Sequence, residues 1–170
     1  ALRYYKGLEF ALRALVGTDF KFVIAGDGEL KFKLLKLANN LKLQNVTFLG
    51  EITDKEKVCL LNLCRCFLFP SNRRSEAFGI SLLEAAAFGK PMISCEIGTG
   101  TSFINIHNKT GLVVKPNSPS EIHNAMKFII SNPEISNKMS LNAKKRYLEI
   151  FTAEKQAKEY NRIYRNILNI

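Results

Sequence analysis

Long apolar runs are missing from this sequence. No stretch approaches the roughly 18 to 20 consecutive apolar residues that a membrane-spanning helix needs. The opening segment, ALRYYKGLEF, carries charged and aromatic residues where a signal peptide would have its apolar centre. The sequence therefore predicts neither a membrane span nor a secretion signal, and its start without Met indicates a piece of a longer chain.

Paired cysteines and histidine clusters are missing as well. The four cysteines show no C-x-x-C spacing, and the single residue between Cys64 and Cys66 is poor spacing for a zinc site. Cys59 and Cys95 lie in apolar patterns, so we expect both to be small core residues. Free thiols are typical of a reducing compartment, which predicts a cytoplasmic protein.

Acidic residues are scarce, because 15 Asp and Glu stand against 25 Lys and Arg and leave a net charge of +10. Such a surplus favours anionic partners. Many of the basic residues come late in the chain: Lys138, Lys144, Lys145, Arg146, Lys155, Lys158, Arg162 and Arg165. We interpret them mainly as a solvated helical face. Peripheral contact with an anionic membrane is the second interpretation, and nucleic acid is not an expected partner.

The apolar pattern predicts one α/β domain. A chain of 170 residues buries a single sizeable core, and a hydrophobic content of 46% is ordinary for a globular protein. Short, continuously apolar strands alternate with helical segments, which indicates a parallel sheet with helices on both faces. The predicted strands are 20–26, 45–50, 66–70, 92–95 and 111–114. We therefore expect a Rossmann-like, doubly wound sheet and a single domain over residues 1–170.

Extra helices are predicted at the C-terminus. Capping-box patterns occur at 53–56 and 118–121, and further helix starts are expected at 132–134 and 152–155. The last predicted helix carries an apolar stripe that must pack on something. Its members are Ala157, Tyr160, Ile163, Tyr164, Ile167 and Leu168.

The stretch SEAFGISLLEAAAFGKP, residues 75–91, predicts an anion-binding helix start. If the helix begins near Gly79, the backbone N–H groups of Gly79, Ile80, Ser81 and Leu82 are free at its positive end. Ligands of doubly wound sheets bind beyond the carboxyl ends of the strands. The glycine turns at Gly26, Gly50 and Gly79 should gather at that edge.

Two glutamates flank this predicted anion site. Glu76 lies on the loop ahead of the helix, and Glu84 lies just over one turn into it. A carboxylate accepts two hydroxyl hydrogen bonds at once, so each suits a diol of a sugar or a ribose. The spacing therefore predicts a ligand with a diol, then phosphate, then a second hydroxylated group, which describes a nucleotide sugar.

These residues resemble the E-x7-E motif of the retaining, GT-B-fold "group 1" glycosyltransferases. The resemblance covers the whole chain through YYKG, IAGDGEL, VTFLGEI, LFPS, SEAFGISLLEAAAFGKPMI and TGLVV, in the order and spacing of the family. It implies one half of a GT-B fold: a C-terminal domain that binds the nucleotide-sugar donor. The N-terminal domain, which would hold most of a polysaccharide or lipid-linked acceptor, is absent from this sequence.

The resemblance also implies roles for particular residues. Glu76 and Lys6 would be catalytic, Glu76 at the donor sugar and Lys6 at the leaving diphosphate. Glu84 would hold the ribose diol. The remaining donor contacts would be Phe78, Gly79, Ile80, Ser81, Leu82, Gly26, Gly28, Glu51 and Ile52.

Three further expectations follow from the resemblance. The phosphate-binding arginine of the family falls at Ala1, so Arg3 is the expected substitute. The variant EIGTGTSF at 96–103 is similar to bacterial enzymes that use GDP-mannose for surface polysaccharides. No cofactor and no metal are expected, since GT-B enzymes generally work without one and no Asp-x-Asp cluster occurs here.

Two alternatives stay open at this point. One is a GT-B-fold enzyme of another reaction type, such as a sugar-nucleotide epimerase or a phosphorylase. The other is no enzyme at all, but a basic Rossmann-like module that binds anionic lipid or nucleic acid. Such a module would bind with steep salt dependence and would not need Glu84.

Overall fold

The computed structural model describes residues 1–168, so the last two residues of the predicted domain lie outside the described range. Its strands are β1 (Phe22–Ala25), β2 (Val46–Gly50), β3 (Phe67–Phe69), β4 (Met92–Cys95) and β5 (Gly111–Val114). Its helices are α1 (Leu8–Ala14), α2 (Lys31–Asn40), α3 (Asp54–Leu63), α4 (Ile80–Ala87), α5 (Thr101–Ile104), α6 (Pro119–Ser131), α7 (Pro133–Arg146) and α8 (Ala153–Leu168). All five predicted strands are confirmed within two residues at each end.

The strands run parallel and form two sheets rather than the single sheet predicted. One sheet pairs β1 with β2, placing Ile24 opposite Phe48. The other has the order β3-β4-β5, with Ile93 between Leu68 and Leu112. Within residues 1–168 no ladder of hydrogen bonds joins the two sheets. The parallel α/β class is confirmed, and the division into two sheets is the difference.

Two apolar cores hold these layers together, and the smaller one supports α4. In that core Leu82 from α4 packs with Phe69, Met92, Ile104 and Ala143. Leu82 is fully buried, and burying one leucine contributes about 1.5–3 kcal/mol. The buried side of α4 thus fixes the helix against β3, β4 and α7 while its first residue, Ile80, stays exposed.

The two predicted capping boxes turn out differently. Thr53 and Glu56 form the complete reciprocal box, so α3 begins at Asp54 as predicted. At α6 the Ser118 hydroxyl accepts from the Glu121 N–H over 3.3 Å. The Glu121 carboxylate does not return the bond, because it accepts from the Lys115 N–H over 2.8 Å. The second box is therefore only half formed.

Several features of the structure were not predicted. A single 3-10 turn covers Tyr4–Lys6, α5 is a separate short helix, and a π-helical segment, Tyr147–Phe151, follows α7. Cys95 is buried as expected, but the prediction for Cys59 is wrong. Cys59 is exposed because α3 buries little more than Leu61.

The last helix leaves its apolar stripe uncovered. Its large apolar side chains, Tyr160, Ile163, Tyr164, Ile167 and Leu168, are all exposed. The expectation that this stripe packs on another element is therefore not met by residues 1–168, where α8 contacts chiefly the preceding π-helical segment. None of the helices in this range is both long and apolar enough to cross a bilayer.

Candidate functional site

The N-terminal residues 1–7 lie across the carboxyl ends of β1 and β3. The Leu2 N–H donates to the carbonyl of Asp27 over 2.8 Å, just beyond β1. The Asn72 N–H, just beyond β3, donates to the carbonyl of Tyr5 over 2.9 Å. These bonds fix the 3-10 turn at the edge where ligands of parallel α/β sheets bind.

Lys6 and Glu76 meet at this edge. The Lys6 Nζ lies 2.5 Å from Glu76 Oε2, which also accepts from the Ser71 hydroxyl over 3.1 Å. Gly7 has a φ of 64°, and a Cβ there would collide with the carbonyl of Pro70. The glycine thus lets the turn approach the end of β3 closely, which places Lys6 beside Glu76.

The Lys6–Glu76 pair is largely screened from water. The side chain of Glu76 is 13% exposed, and the Lys6 ammonium lies 5.0 Å from the ring centroid of Phe69 and 5.4 Å from that of Tyr5. Removal from water strengthens the attraction between the two charges. The second carboxylate oxygen of Glu76, Oε1, accepts no hydrogen bond from residues 1–168, so it is free to accept a ligand hydroxyl.

The N-terminus of α4 supplies backbone donors, as the sequence predicted. Gly79 caps the helix with a φ of 94°. Within residues 1–168 the N–H groups of Gly79, Ile80 and Ser81 have no hydrogen-bond partner. The Leu82 N–H differs from the prediction, because it donates to the carbonyl of Gly79 over 2.9 Å. Three free donors, rather than four, therefore point out of the helix.

The loop between Glu76 and α4 is braced from two sides. The Gly100 N–H donates to the carbonyl of Ala77 over 2.9 Å, and a Cβ at Gly100 would collide with the Phe78 ring. The same ring contacts Phe151 of the π-helical segment at a centroid distance of 6.4 Å. These contacts hold in place Ala77 and Phe78, the two residues that follow Glu76.

Glu84 is held by Lys57, a residue that the sequence analysis did not single out. Lys57 Nζ on α3 donates to Glu84 Oε1 over 2.8 Å and lies 3.0 Å from Asp54 Oδ1. The hydrogen bond to Glu84, followed by that to Asp54, raises the pKa of Lys57. Glu84 is thus paired with a cation although its side chain is partly exposed.

Lys57 lies near the start of its helix. It is the fourth residue of α3, where the positive end of the helix dipole disfavours a cation. Nothing in the sequence identifies Glu84 as the partner of this lysine.

The glycines after β1 lie where the sequence placed them. The Gly26 N–H donates to the carbonyl of Gly50 over 2.6 Å, which joins the ends of β1 and β2. A Cβ at Gly28 would collide with the backbone of Leu2. Between them, Asp27 accepts from the Gly28 N–H and pairs with Lys31 across 2.5 Å, and the bond from Lys31 lowers the pKa of Asp27. Asp27 is therefore a turn former.

Three predicted residues at this edge have no side-chain hydrogen bond to any of residues 1–168. Glu51 and Ile52 follow β2 directly and lead into Thr53, the cap of α3. Arg3 is exposed and precedes the 3-10 turn. The phosphate-binding role of Arg3 stays a prediction.

An open cleft of about 570 Å³ lies next to the Lys6–Glu76 pair. Its lining includes Tyr4, Arg73, Arg74, Ser75, Glu96 and Ile97. The Ser102 hydroxyl and the Gly98 N–H donate to Glu96, and these bonds lower the pKa of its carboxyl. Glu96 and Ile97, the first two residues of the EIGTGTSF segment, thus belong to the lining of this cleft.

Nothing in residues 1–168 gathers three or more His, Cys, Asp or Glu side chains into a group that could hold a metal ion. Both histidines have structural contacts: His107 Nδ1 accepts from the Val113 N–H, and His123 Nδ1 lies 3.0 Å from the carbonyl of Ala14. That activity requires no metal and no cofactor stays a prediction.

Comparison with known proteins decides the family. The family described as glycosyl transferases group 1 matches residues 1–146. The chain belongs to the group 1 glycosyl transferases. The assignment agrees with the geometry above, in which Glu76, Glu84 and the N-terminus of α4 lie on one segment of the chain.

Other members of the group 1 glycosyl transferases are similar over most of this chain. It is 54% identical over 152 residues to the D-rhamnosyltransferase WbpZ of Pseudomonas aeruginosa, covering 89% of this chain and 40% of that protein. It is 44% identical over 168 residues to the O-antigen chain mannosyltransferase C of Escherichia coli, covering 99% of this chain and 45% of that protein. The chain thus spans less than half the length of these relatives.

Solved structures show the same fold. The Alr3699/HepE structure from Anabaena superposes with a TM-score of 0.86 at 21% sequence identity, covering 99% of this chain and 47% of that one. The GT-B assignment of the domain is therefore confirmed.

Proposed function

We propose that this chain binds the nucleotide-sugar donor of a retaining glycosyltransferase. One observation carries the proposal: the free N–H groups at the start of α4 are flanked by two carboxylates, each held by a lysine from elsewhere in the fold. Helix N-termini bind phosphate, and ionised carboxylates accept from sugar hydroxyls. The arrangement therefore matches a diphosphate with a hydroxylated group on either side.

The chemistry of each residue follows from its place. The N–H groups of Gly79, Ile80 and Ser81 would bind the diphosphate, and Lys6 would offset the negative charge that grows on it as the bond to the sugar breaks. Glu76 would orient the donor sugar through its unpaired oxygen. Glu84 would hold the ribose.

Further donor contacts are proposed along the same edge. Glu51 and Ile52 would lie along the nucleobase, and Gly26 and Gly28 would let the ligand approach the backbone. Arg3 would add a cation near the phosphates. Phe78 and Leu82 would contribute through the loop and the helix that they anchor, since the Leu82 N–H is already bonded.

We propose GDP-mannose as the donor. The relatives named above are a D-rhamnosyltransferase and a mannosyltransferase, and D-rhamnose is 6-deoxy-D-mannose. The resemblance of the EIGTGTSF segment to bacterial enzymes that use GDP-mannose supports the same assignment. The Anabaena neighbour was solved in complex with UDP. UDP is therefore the competing nucleotide that the experiment must exclude.

The acceptor is proposed to be a polysaccharide or a lipid-linked sugar, bound mainly by an N-terminal domain outside this sequence. A cytoplasmic location, peripheral at the membrane, would suit a lipid-linked acceptor and the basic C-terminal helices. A sugar-nucleotide epimerase or phosphorylase would use a similar donor site. Analysis of the products made by the full-length protein separates these reactions from glycosyl transfer.

The donor site is tested by calorimetric titration of the full-length protein with GDP, UDP and ADP. Selective binding of GDP, weakened at least about tenfold by Glu84→Ala, is the expected result. The matched control is Glu134→Ala, an exposed glutamate on α7. Binding of none of the three nucleotides, or equal binding by both variants, would overturn the proposal. Selective binding of UDP would keep the donor site and refute GDP-mannose.

A further inference from the structure

We infer that Lys57 is a positioning residue that aims the Glu84 carboxylate at the ribose of the nucleotide, an inference that rests on the function proposed above. Lys57 lies on α3 and Glu84 on α4, and 27 positions separate them in sequence. Their contact, 2.8 Å from Nζ to Oε1, directly joins the two helices at this edge.

The placement of Lys57 is costly for its own helix. A cation near the N-terminus of a helix is repelled by the helix dipole, and Lys57 is the fourth residue of α3. Asp54 and Glu84 both compensate this cost, at 3.0 Å and 2.8 Å. Of these two partners, Asp54 lies on the same helix as Lys57 and is almost fully exposed. The contact with Glu84 is therefore the one that connects Lys57 to another helix.

The N-terminus of α3 fixes where Lys57 can reach. The Thr53 N–H and hydroxyl donate to Glu56 Oε2 over 2.7 Å and 2.8 Å, and the Glu56 N–H donates back to the Thr53 hydroxyl. A complete capping box of this kind holds the first turn of a helix in place. Lys57 therefore extends from a defined first turn rather than from a frayed end.

The bond to Lys57 leaves Glu84 able to accept a diol. Each carboxylate oxygen has two lone-pair sites, so Oε1 accepts from Lys57 and from one hydroxyl, while Oε2 accepts from a second. Within residues 1–168 no hydrogen bond occupies Oε2. A fixed carboxylate loses less rotamer freedom when the ligand binds, which is the usual benefit of a preorganised site.

The experiment compares ribonucleotide with 2′-deoxyribonucleotide. The probe is whichever of GDP, UDP and ADP binds the full-length protein, together with its 2′-deoxy form. The measured quantity is the ratio of the two dissociation constants in the wild type and in Lys57→Met, Lys57→Arg, Lys55→Met and Glu84→Gln. Lys55 is an exposed neighbour on α3 and serves as the control.

We expect the wild type to prefer the ribonucleotide by about tenfold, the usual effect of one hydrogen bond to a charged group. Lys57→Met should lower that ratio toward the value for Glu84→Gln, Lys57→Arg should restore part of it, and Lys55→Met should leave it unchanged. A purely structural role for Lys57 would weaken both nucleotides equally and keep the ratio.

The outcomes separate the two proposals. If Glu84→Gln abolishes the ribose preference and Lys57→Met does not, the role of Lys57 is refuted while the donor site stands. If Glu84→Gln leaves the preference intact, or if no nucleotide binds, the proposed function fails and the role of Lys57 fails with it.

Discussion

The ammonium nitrogen of Lys6 lies 2.5 Å from Oε2 of Glu76, although the two residues are 70 positions apart. The bond from Asn72 to Tyr5 and the close approach of Gly7 to Pro70 hold them together. In the proposed donor site this pair would form one end, and Lys57 with Glu84 would form the other.

Lys6→Met should slow sugar transfer far more than it weakens donor binding. If the Lys6 ammonium offsets charge that develops on the diphosphate during the reaction, its loss costs about 10²–10³ in kcat. The measurement is release of nucleoside diphosphate by the full-length enzyme. Lys21→Met, at the opposite end of β1, is the control. Equal loss in donor affinity and in kcat/KM, with kcat unchanged, would contradict this role.

Gly79→Ala should weaken nucleotide binding as well as stability. The residue has a φ of 94°, and an added Cβ would press on Leu82 and on the Phe69 ring. Such strain costs about 1–3 kcal/mol, measurable by urea denaturation. Gly17→Ala is a matched control, because Gly17 also has a positive φ but no atom near its Cβ position. We expect both variants to lose stability and only Gly79→Ala to lose affinity.

The buried thiols should resist alkylation. Burial raises the pKa of Cys66 and of Cys95 to about 12, so at pH 8 both stay protonated and unreactive. Cys59 is exposed on α3. Iodoacetamide followed by peptide mass spectrometry should modify Cys59 first and spare Cys66 and Cys95 until urea unfolds the protein. Equal rates at Cys59 and Cys66 would refute the packing around β3.

Peripheral membrane contact is tested by co-sedimentation of the full-length protein with vesicles. We expect binding to phosphatidylglycerol vesicles, weakening with salt, and little binding to phosphatidylcholine. Charge reversal of Lys158 and Arg165 to Glu on α8 should reduce it. The same reversal of Lys33 and Lys36 on α2 changes the net charge equally and serves as the control. Absence of binding to anionic vesicles would remove the hypothesis.

The local signals in the sequence predicted the elements of the fold well. Gly79 marks the start of α4, and Thr53 with Glu56 marks the start of α3. Such signals act over three or four residues, and the structure uses them as expected. The short helix α5 has no side-chain cap, so no comparable signal existed for it.

Contacts between segments that are distant in the chain could not be predicted from the sequence. The E-x7-E motif located Glu76 and Glu84, but the lysines that hold them come from 70 positions and 27 positions away. The Leu82 N–H was expected to be free and is instead used by a tight first turn of α4. The division of the strands into two sheets depends on edge pairing, which the pattern of apolar residues does not encode.

The two lysine–glutamate pairs also bear on how the donor is attracted. Lys6 with Glu76 and Lys57 with Glu84 sum to no net charge, while many of the surplus cations lie far along the chain on α7 and α8. The two pairs themselves therefore exert little long-range pull on a diphosphate. Long-range attraction at this edge would come instead from the exposed arginines Arg3, Arg73 and Arg74. The rate at which the nucleotide associates should then fall as ionic strength rises, while the short, directional bonds to the pairs should change little.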